Sequence, residues 1–156
     1  MNRKRFIKFG MLAVPTSLVF PEIILSRNTI IGKKEPQVPK FKPNPSVWKT
    51  EEINIAWIGH STILINFYGK VILTDPAMLA QVGVNFLGLT FGPERYTYPA
   101  LEISEIPKPD VVIISHAHMD HMDYATLSEI AYNFVYEIDC ITACNTKDVI
   151  ENLDWK

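Results

Sequence analysis

Histidine and cysteine are scarce in this chain, with 4 and 2 copies among 156 residues. Cys140 and Cys144 stand four positions apart in a stretch that reads as a strand. Extended backbone separates such positions by roughly 13 Å, far beyond the about 4.4–6.8 Å between Cα atoms that a disulfide tolerates. A disulfide framework is therefore excluded, and two buried free thiols are expected. Neither cysteine has a spacing that joins it to a metal-binding loop. An excess of one charge is missing as well. The 15 Lys and Arg against 17 Asp and Glu leave a formal net charge of -2, so no basic face attracts a phosphate backbone and a nucleic-acid partner is disfavoured. Lys33, Lys34, Lys40 and Lys42 form the densest basic stretch and read as solvated. Repeats and low-complexity tracts are absent too. What remains, 47% hydrophobic and 21% charged, suits the core of one globular domain.

The N-terminus departs from that ordinary composition. Met1 to Lys8 is positively charged and Phe9 to Leu25 is mostly apolar, the layout of an export signal. Pro15 and Pro21 interrupt the apolar run, which only approaches the ~17 residues that span a bilayer. Residues 1–27 are read as an export signal or membrane anchor, which places the protein outside the cytoplasmic membrane; a cytoplasmic location is the alternative. Arg3-Lys4-Arg5-Phe6 also looks like a twin-arginine signal with lysine in place of the second arginine. Pro36, Pro39, Pro43 and Pro45 among lysines then mark residues 28–47 as an extended linker.

From residue 48 the pattern alternates between strand and loop. Ile53 to Ile58 and Thr62 to Phe67 are β-branched runs separated by Gly59-His60-Ser61, and Tyr68-Gly69-Lys70 turns into Val71 to Thr74. Residues 76–100 read as a long irregular segment bordering the active site. A short helix over Leu101 to Ile106 is ended by Pro107 and Pro109, and a strand begins at Val111. Asp123 is positioned to cap a helix over Tyr124 to Ala131. A strand near Ile138 to Thr142 and a short helix over Lys147 to Leu153 follow.

Three of the four histidines fall within six positions, in His116-Ala117-His118-Met119-Asp120-His121, directly after Val111-Val112-Ile113-Ile114-Ser115. Packing does not account for three imidazoles and a carboxylate crowded together, because each needs a polar partner. A divalent cation supplies one: His nitrogen and Asp oxygen suit Zn²⁺ and similar ions at about 2.0–2.2 Å. On a loop leaving a strand, His116 and His118 can close on one ion while Asp120 and His121 turn toward a second, and paired ions stand roughly 3.5–4 Å apart.

This string after a strand resembles the signature of the metallo-β-lactamase superfamily, and the resemblance extends from about Trp48 onward. Trp57-Ile58-Gly59-His60-Ser61-Thr62, Leu73-Thr74-Asp75-Pro76 and Phe91-Gly92-Pro93-Glu94-Arg95-Tyr96 are similar to the branch holding N-acylphosphatidylethanolamine-hydrolysing phospholipase D and ascorbate-6-phosphate lactonase-like hydrolases. The resemblance implies an α/β fold, the N-terminal half of an αββα sandwich with a mixed sheet and flanking helices. It implies two zinc ions, with manganese or iron as alternatives. His116 and His118 would hold the first ion, and Asp120 and His121 the second, with Asp75 supporting the ligand loop. Asp120 and His60 are the candidate catalytic residues, His60 facing either the substrate or the backbone.

The implied activity is hydrolysis of a phosphodiester, a lactone or a related ester by a metal-activated hydroxide, on a small-molecule or lipid substrate. In that family a third histidine of the first site, a bridging carboxylate and a last histidine of the second site come later in the chain. No histidine follows His121 here, and Asp139, Asp148 and Asp154 lie in no recognisable ligand motif. The chain therefore reads as an N-terminal fragment, with an inactive remnant or a plain metal-binding module as the alternative function. A half-sandwich is also expected to leave one apolar sheet face uncovered, inviting self-association.

Overall fold

The computed structural model describes residues 35–82, 84–86, 89–92 and 94–156. The segment read as an export signal, 1–27, and the first part of the linker lie outside them. No helix among the described residues is long and apolar enough to cross a membrane.

Three strands open the domain as an antiparallel meander: β1 (Ile53–Gly59), β2 (Thr62–Phe67) and β3 (Lys70–Thr74). The β2–β3 turn puts Tyr68 and Gly69 at φ 50 and 84. Positive φ at both central residues is the geometry that matches the twist of a two-residue hairpin. Asn66 Oδ1 accepts from the Gly69 amide at 3.0 Å and holds the turn shut.

Residues 76–100 are less irregular than the sequence suggests. They contain a two-stranded hairpin, β4 (Val84–Phe86) with β5 (Leu89–Phe91), apart from the main sheet. Strands of 3 residues are too short for apolar alternation to declare itself.

β6 (Val111–Ile114) then runs parallel to β3, and β7 (Asp139–Thr142) parallel to β6, giving a mixed sheet in the order β1-β2-β3-β6-β7. The β6–β7 crossover carries α1 (Tyr124–Asn133), as a parallel connection requires. The helix expected over Leu101 to Ile106 is a single 3-10 turn at Ile103–Glu105, closed by a reciprocal Glu102–Glu105 cap. The one expected from Lys147 shrinks to Lys147–Val149. Its bonds span three residues, Ile150 N to Lys147 O and Leu153 N to Ile150 O, and one such turn does not repay the cost of starting an α-helix.

One face of the sheet is the core. Ile58, Leu64, Leu73, Val112 and Ile114 point into it from the strands, and Leu127 and Ile130 of α1 and Ile138 close it. Leu127 and Ile130 are three apart and so share one helix face. Each is fully buried, and truncating such a side chain to Ala costs about 2–5 kcal/mol.

The other face is apolar but open. Register aligns Ile55, Ile65, Ile72 and Val111 in one row and Trp57, Ile63, Thr74, Ile113 and Ile141 in the next. Ile55 is 68% exposed, Trp57 64% and Ile141 57%. Among the described residues no second sheet covers this face, and in a two-sheet sandwich such a face packs against the partner sheet.

Part of the proline-rich segment is bonded to the domain. Gln37 donates to Tyr96 O at 2.9 Å and accepts from Tyr98 N at 3.0 Å, and residues Pro45–Val47 form a 3-10 turn capped by Asn44. The two cysteines are free. Cys140 is half-buried on β7, where burial pushes its thiol pKa up to about 11. Cys144 corrects the expectation of two buried thiols: it falls in the turn after β7 and is exposed.

Candidate metal centre

The His-rich string occupies the loop between β6 and α1, at the C-terminal end of the parallel strands. Both ends of this loop are anchored. At the far end Asp123, almost fully buried, caps α1 by accepting from the Thr126 amide and hydroxyl. The Thr126 hydroxyl in turn accepts from Met78 N at 3.0 Å. Burial raises the Asp123 carboxyl above the usual range, against the pull of those hydrogen bonds and of Arg95. Inside the loop the amides of His121 and Met122 both donate to His118 O, at 2.9 and 2.7 Å, which folds the string into a tight turn.

At the near end stands Asp75, just past β3, whose amide donates to Ile113 O at 2.8 Å. Its φ is 40, in a region that costs an ordinary residue about 1–2 kcal/mol. Its carboxylate takes three bonds from the loop. Oδ1 accepts from Ser115 N at 2.7 Å, and Oδ2 accepts from Ser115 Oγ at 2.8 Å and lies 3.1 Å from His121 Nδ1.

Those bonds set the proton positions of two imidazoles. A carboxylate only accepts, so His121 carries its proton on Nδ1 and keeps a lone pair on Nε2. The Ser115 hydroxyl spends its proton on Asp75 and accepts from His116 Nδ1, 2.9 Å away. His116 therefore also presents a bare Nε2, which faces His118 Nδ1 at 3.1 Å. A carboxylate behind an imidazole in this way is the usual means of orienting a metal-binding histidine.

His60 joins from the β1–β2 turn. Its Nε2 lies 3.0 Å from Asp120 Oδ2, and His121 Nε2 is 3.6 Å from the same oxygen. The hydrogen bond from His60 holds the Asp120 carboxyl below the usual carboxylate range. The two loops are also tied by Ser61 Oγ donating to Asp120 O at 2.9 Å and Trp57 Nε1 donating to His60 O at 2.7 Å. Gly59, at φ 133, turns the chain there, and a Cβ on it would meet Arg95 Nη2 at 3.2 Å. Arg95 is itself held by the carbonyls of Ala77 and Thr97, and burial lowers its pKa.

The structure thus brings His116 and His118 together as one pair, and Asp120 and His121 beside it, with the His116 and His121 rings 4.0 Å apart between centroids. At ligand distances of about 2.0–2.2 Å, donors on a tetrahedral ion stand roughly 3.3–3.6 Å apart. The observed spacings, 3.0, 3.1 and 3.6 Å, run from just below that range to its upper end, so a small outward shift of the rings admits a divalent cation. Among the described residues, the group that offers three donor atoms within 4.8 Å of one another is His60, Asp120 and His121.

Asp139, Asp148 and Asp154 lie elsewhere. Asp139 pairs with Val111 at the opposite end of β6 and faces Lys156. Asp154 accepts from the Tyr136 hydroxyl, and Asp148 is exposed in the last 3-10 turn. Ser115, Ser61 and Trp57 are contributors that sequence reasoning passed over. Their positions beside His116 and His60 were the available signal. A cleft of about 440 Å³ opens next to His60 and Asp120, walled by Trp57, Val82, Tyr96 and Met119.

Comparison with known proteins adds the lineage. A family model described as "Beta-lactamase superfamily domain" matches residues 54–152. An uncharacterized protein of Mycobacterium tuberculosis is 32% identical over 90 residues, 58% of this chain and 23% of its own length. The mitochondrial N-acyl-phosphatidylethanolamine-hydrolyzing phospholipase D of Saccharomyces cerevisiae is 40% identical over 71 residues, 46% of this chain and 14% of the relative. Its Caenorhabditis elegans namesake is 33% identical over 67 residues, 43% and 18%. A crystal structure of a diiron β-hydroxylase from Streptomyces venezuelae overlaps 58% of this chain and 15% of that one, with 26% identity and a TM-score of 0.38. The chain spans less than a quarter of the length of these relatives. With the family model covering most of the sheet and the whole of the ligand loop, the chain belongs to the β-lactamase superfamily.

Proposed function

We propose that the protein is, or is part of, a metal-dependent hydrolase that cleaves a phosphodiester or carboxylic ester bearing an apolar group. The observation that carries the reading is the pair of imidazole nitrogens, His116 Nε2 and His118 Nδ1, facing each other 3.1 Å apart beside Asp120 and His121. Two zinc, manganese or iron ions fit this set of nitrogen and carboxylate donors. Bound there, a divalent cation lowers the pKa of water and polarises the ester oxygen under attack.

The chain's own residues do the positioning. Asp75, through Ser115, directs the His116 lone pair inward, and it fixes the His121 ring directly. In this reading Asp120, whose carboxyl the His60 hydrogen bond keeps below the usual range, orients the attacking water. The apolar walls of the adjoining cleft and the relatives named as phospholipases support a lipid or similarly apolar ester. The charged start and apolar run of residues 1–25 support an exported or membrane-anchored location, close to such a substrate.

A second reading is a metal-binding module without turnover, favoured by the single carboxylate, that of Asp120, in the three-donor group it forms with His60 and His121. Metal analysis together with hydrolysis of bis-p-nitrophenyl phosphate separates the two. The hydrolase reading expects bound metal and turnover that His118→Ala lowers together. Bound metal with no turnover at saturating zinc or manganese selects the module, and no bound metal refutes both.

A further inference from the structure

We infer that His60 is a metal ligand, completing with Asp120 and His121 a three-donor cation site contained within this chain. The inference rests on the metal-centre reading above and adds a ligand from outside the His-rich string. Three independent features support it.

The first is geometry. His60 Nε2 and His121 Nε2 stand 3.0 and 3.6 Å from one carboxylate oxygen, Asp120 Oδ2, and three donor atoms of these residues lie within 4.8 Å of one another. Without a cation His60 Nε2 donates to Asp120, and it gives up that proton on binding one. Two imidazoles and one carboxylate are the ligand set of catalytic zinc sites that keep a fourth position open. The cleft walled by Trp57, Val82, Tyr96 and Met119 also has His60 and Asp120 in its lining, so an open position there is reachable by substrate.

The second is backbone strain. His60 has φ 53, a conformation unfavourable for a non-glycine residue and one that gathers at functional sites. A half-exposed His–Asp contact repays little of that cost, whereas a shared cation gives the conformation a purpose.

The third is bracing. Trp57 Nε1 holds the His60 main-chain carbonyl and Ser61 Oγ holds the Asp120 main-chain carbonyl, so the backbone that carries both donors is fixed. The His121 ring is fixed directly, by Asp75 at its Nδ1, with Nε2 left bare.

Cobalt(II) titration of the full chain tests the inference, with binding and optical spectrum as readouts. His60→Asn is the variant of choice for loss, because Asn tolerates the left-handed region and leaves the fold undisturbed, as circular dichroism would verify. It is expected to weaken one cobalt equivalent by at least about 10- to 100-fold, the loss that follows from removing even an outer partner of a ligand. His60→Cys is expected to introduce a near-ultraviolet sulfur-to-cobalt charge-transfer band absent from the parent chain, whose own Cys140 and Cys144 serve as the blank. Unchanged affinity in His60→Asn together with no new band in His60→Cys overturns the assignment of His60 while the metal centre stands. A parent chain that binds no cobalt overturns the metal centre and the His60 site with it.

Discussion

Replacing Asp75 by glycine separates orientation of the metal ligands from stability of the fold. The substitution removes three acceptor contacts at once, to Ser115 N at 2.7 Å, Ser115 Oγ at 2.8 Å and His121 Nδ1 at 3.1 Å. Hydrogen bonds to a charged group contribute about 1.5–3 kcal/mol each, but Ser115 is exposed and water replaces much of what it loses. Glycine also relieves the left-handed φ of 40, recovering about 1–2 kcal/mol. Stability is therefore expected to change by no more than about 1–2 kcal/mol in urea unfolding. Metal binding should suffer more. His121 and His116 lose the bonds that keep their Nε2 atoms bare, and loss of such support costs about 10- to 100-fold in affinity. Isothermal titration with zinc measures that loss, and nitrogen chemical shifts of the imidazoles report the tautomers directly. Affinity within about twofold of the parent, with both rings still protonated on Nδ1, would refute the orienting role given to Asp75.

Three further outcomes follow from the same structure. Asp123→Ala should cost about 0.5–2 kcal/mol in thermal unfolding through loss of the α1 cap, and Asp123→Asn should recover most of it; equal effects of the two substitutions would argue against capping. The Val71 amide and then Lys70 hold the Asp110 carboxyl below its usual range. Its stabilisation is thus fully present above the unfolded pKa of about 3.9 and fades as pH falls through the lower folded value. Asp110→Asn should accordingly destabilise the protein at neutral pH, with the difference from the parent vanishing in strong acid. The open sheet face carrying Ile55, Ile65 and Trp57 should drive self-association of the chain, seen by light scattering after size exclusion. Ile55→Lys with Ile65→Lys should shift it toward monomer, and a monodisperse parent monomer would contradict that reading.

The meander and the ligand loop were legible in the sequence for definite reasons. Ile53 to Ile58 and Thr62 to Phe67 declared themselves as strands by their runs of β-branched residues, apolar side chains falling on both faces of the sheet, and the Asp123 cap announced α1. The hairpin of β4 and β5 was hidden because 3-residue strands show no period. The two short helices were overread because single turns carry apolar residues without enough hydrogen bonds to become α-helical.

At the site, spacing alone singled out His116, His118, Asp120 and His121. The position of His60 beside Asp120 was not legible in the same way. It depends on the left-handed turn at Gly59 and His60 and on a contact spanning 60 positions, information held in three dimensions rather than in any local string. Ser115 escaped notice because its role, passing the Asp75 charge on to His116, exists only once β3 and β6 lie side by side.

The most direct test of the account is an anomalous difference map at the zinc absorption edge, from crystals of the chain grown with zinc. The account predicts a peak about 2.0–2.2 Å from His116 Nε2 and His118 Nδ1, and another within the same distance of Asp120 Oδ2 and His121 Nε2. Zinc bound only at surface carboxylates away from the β6–α1 loop, or no anomalous peak at all, would contradict it.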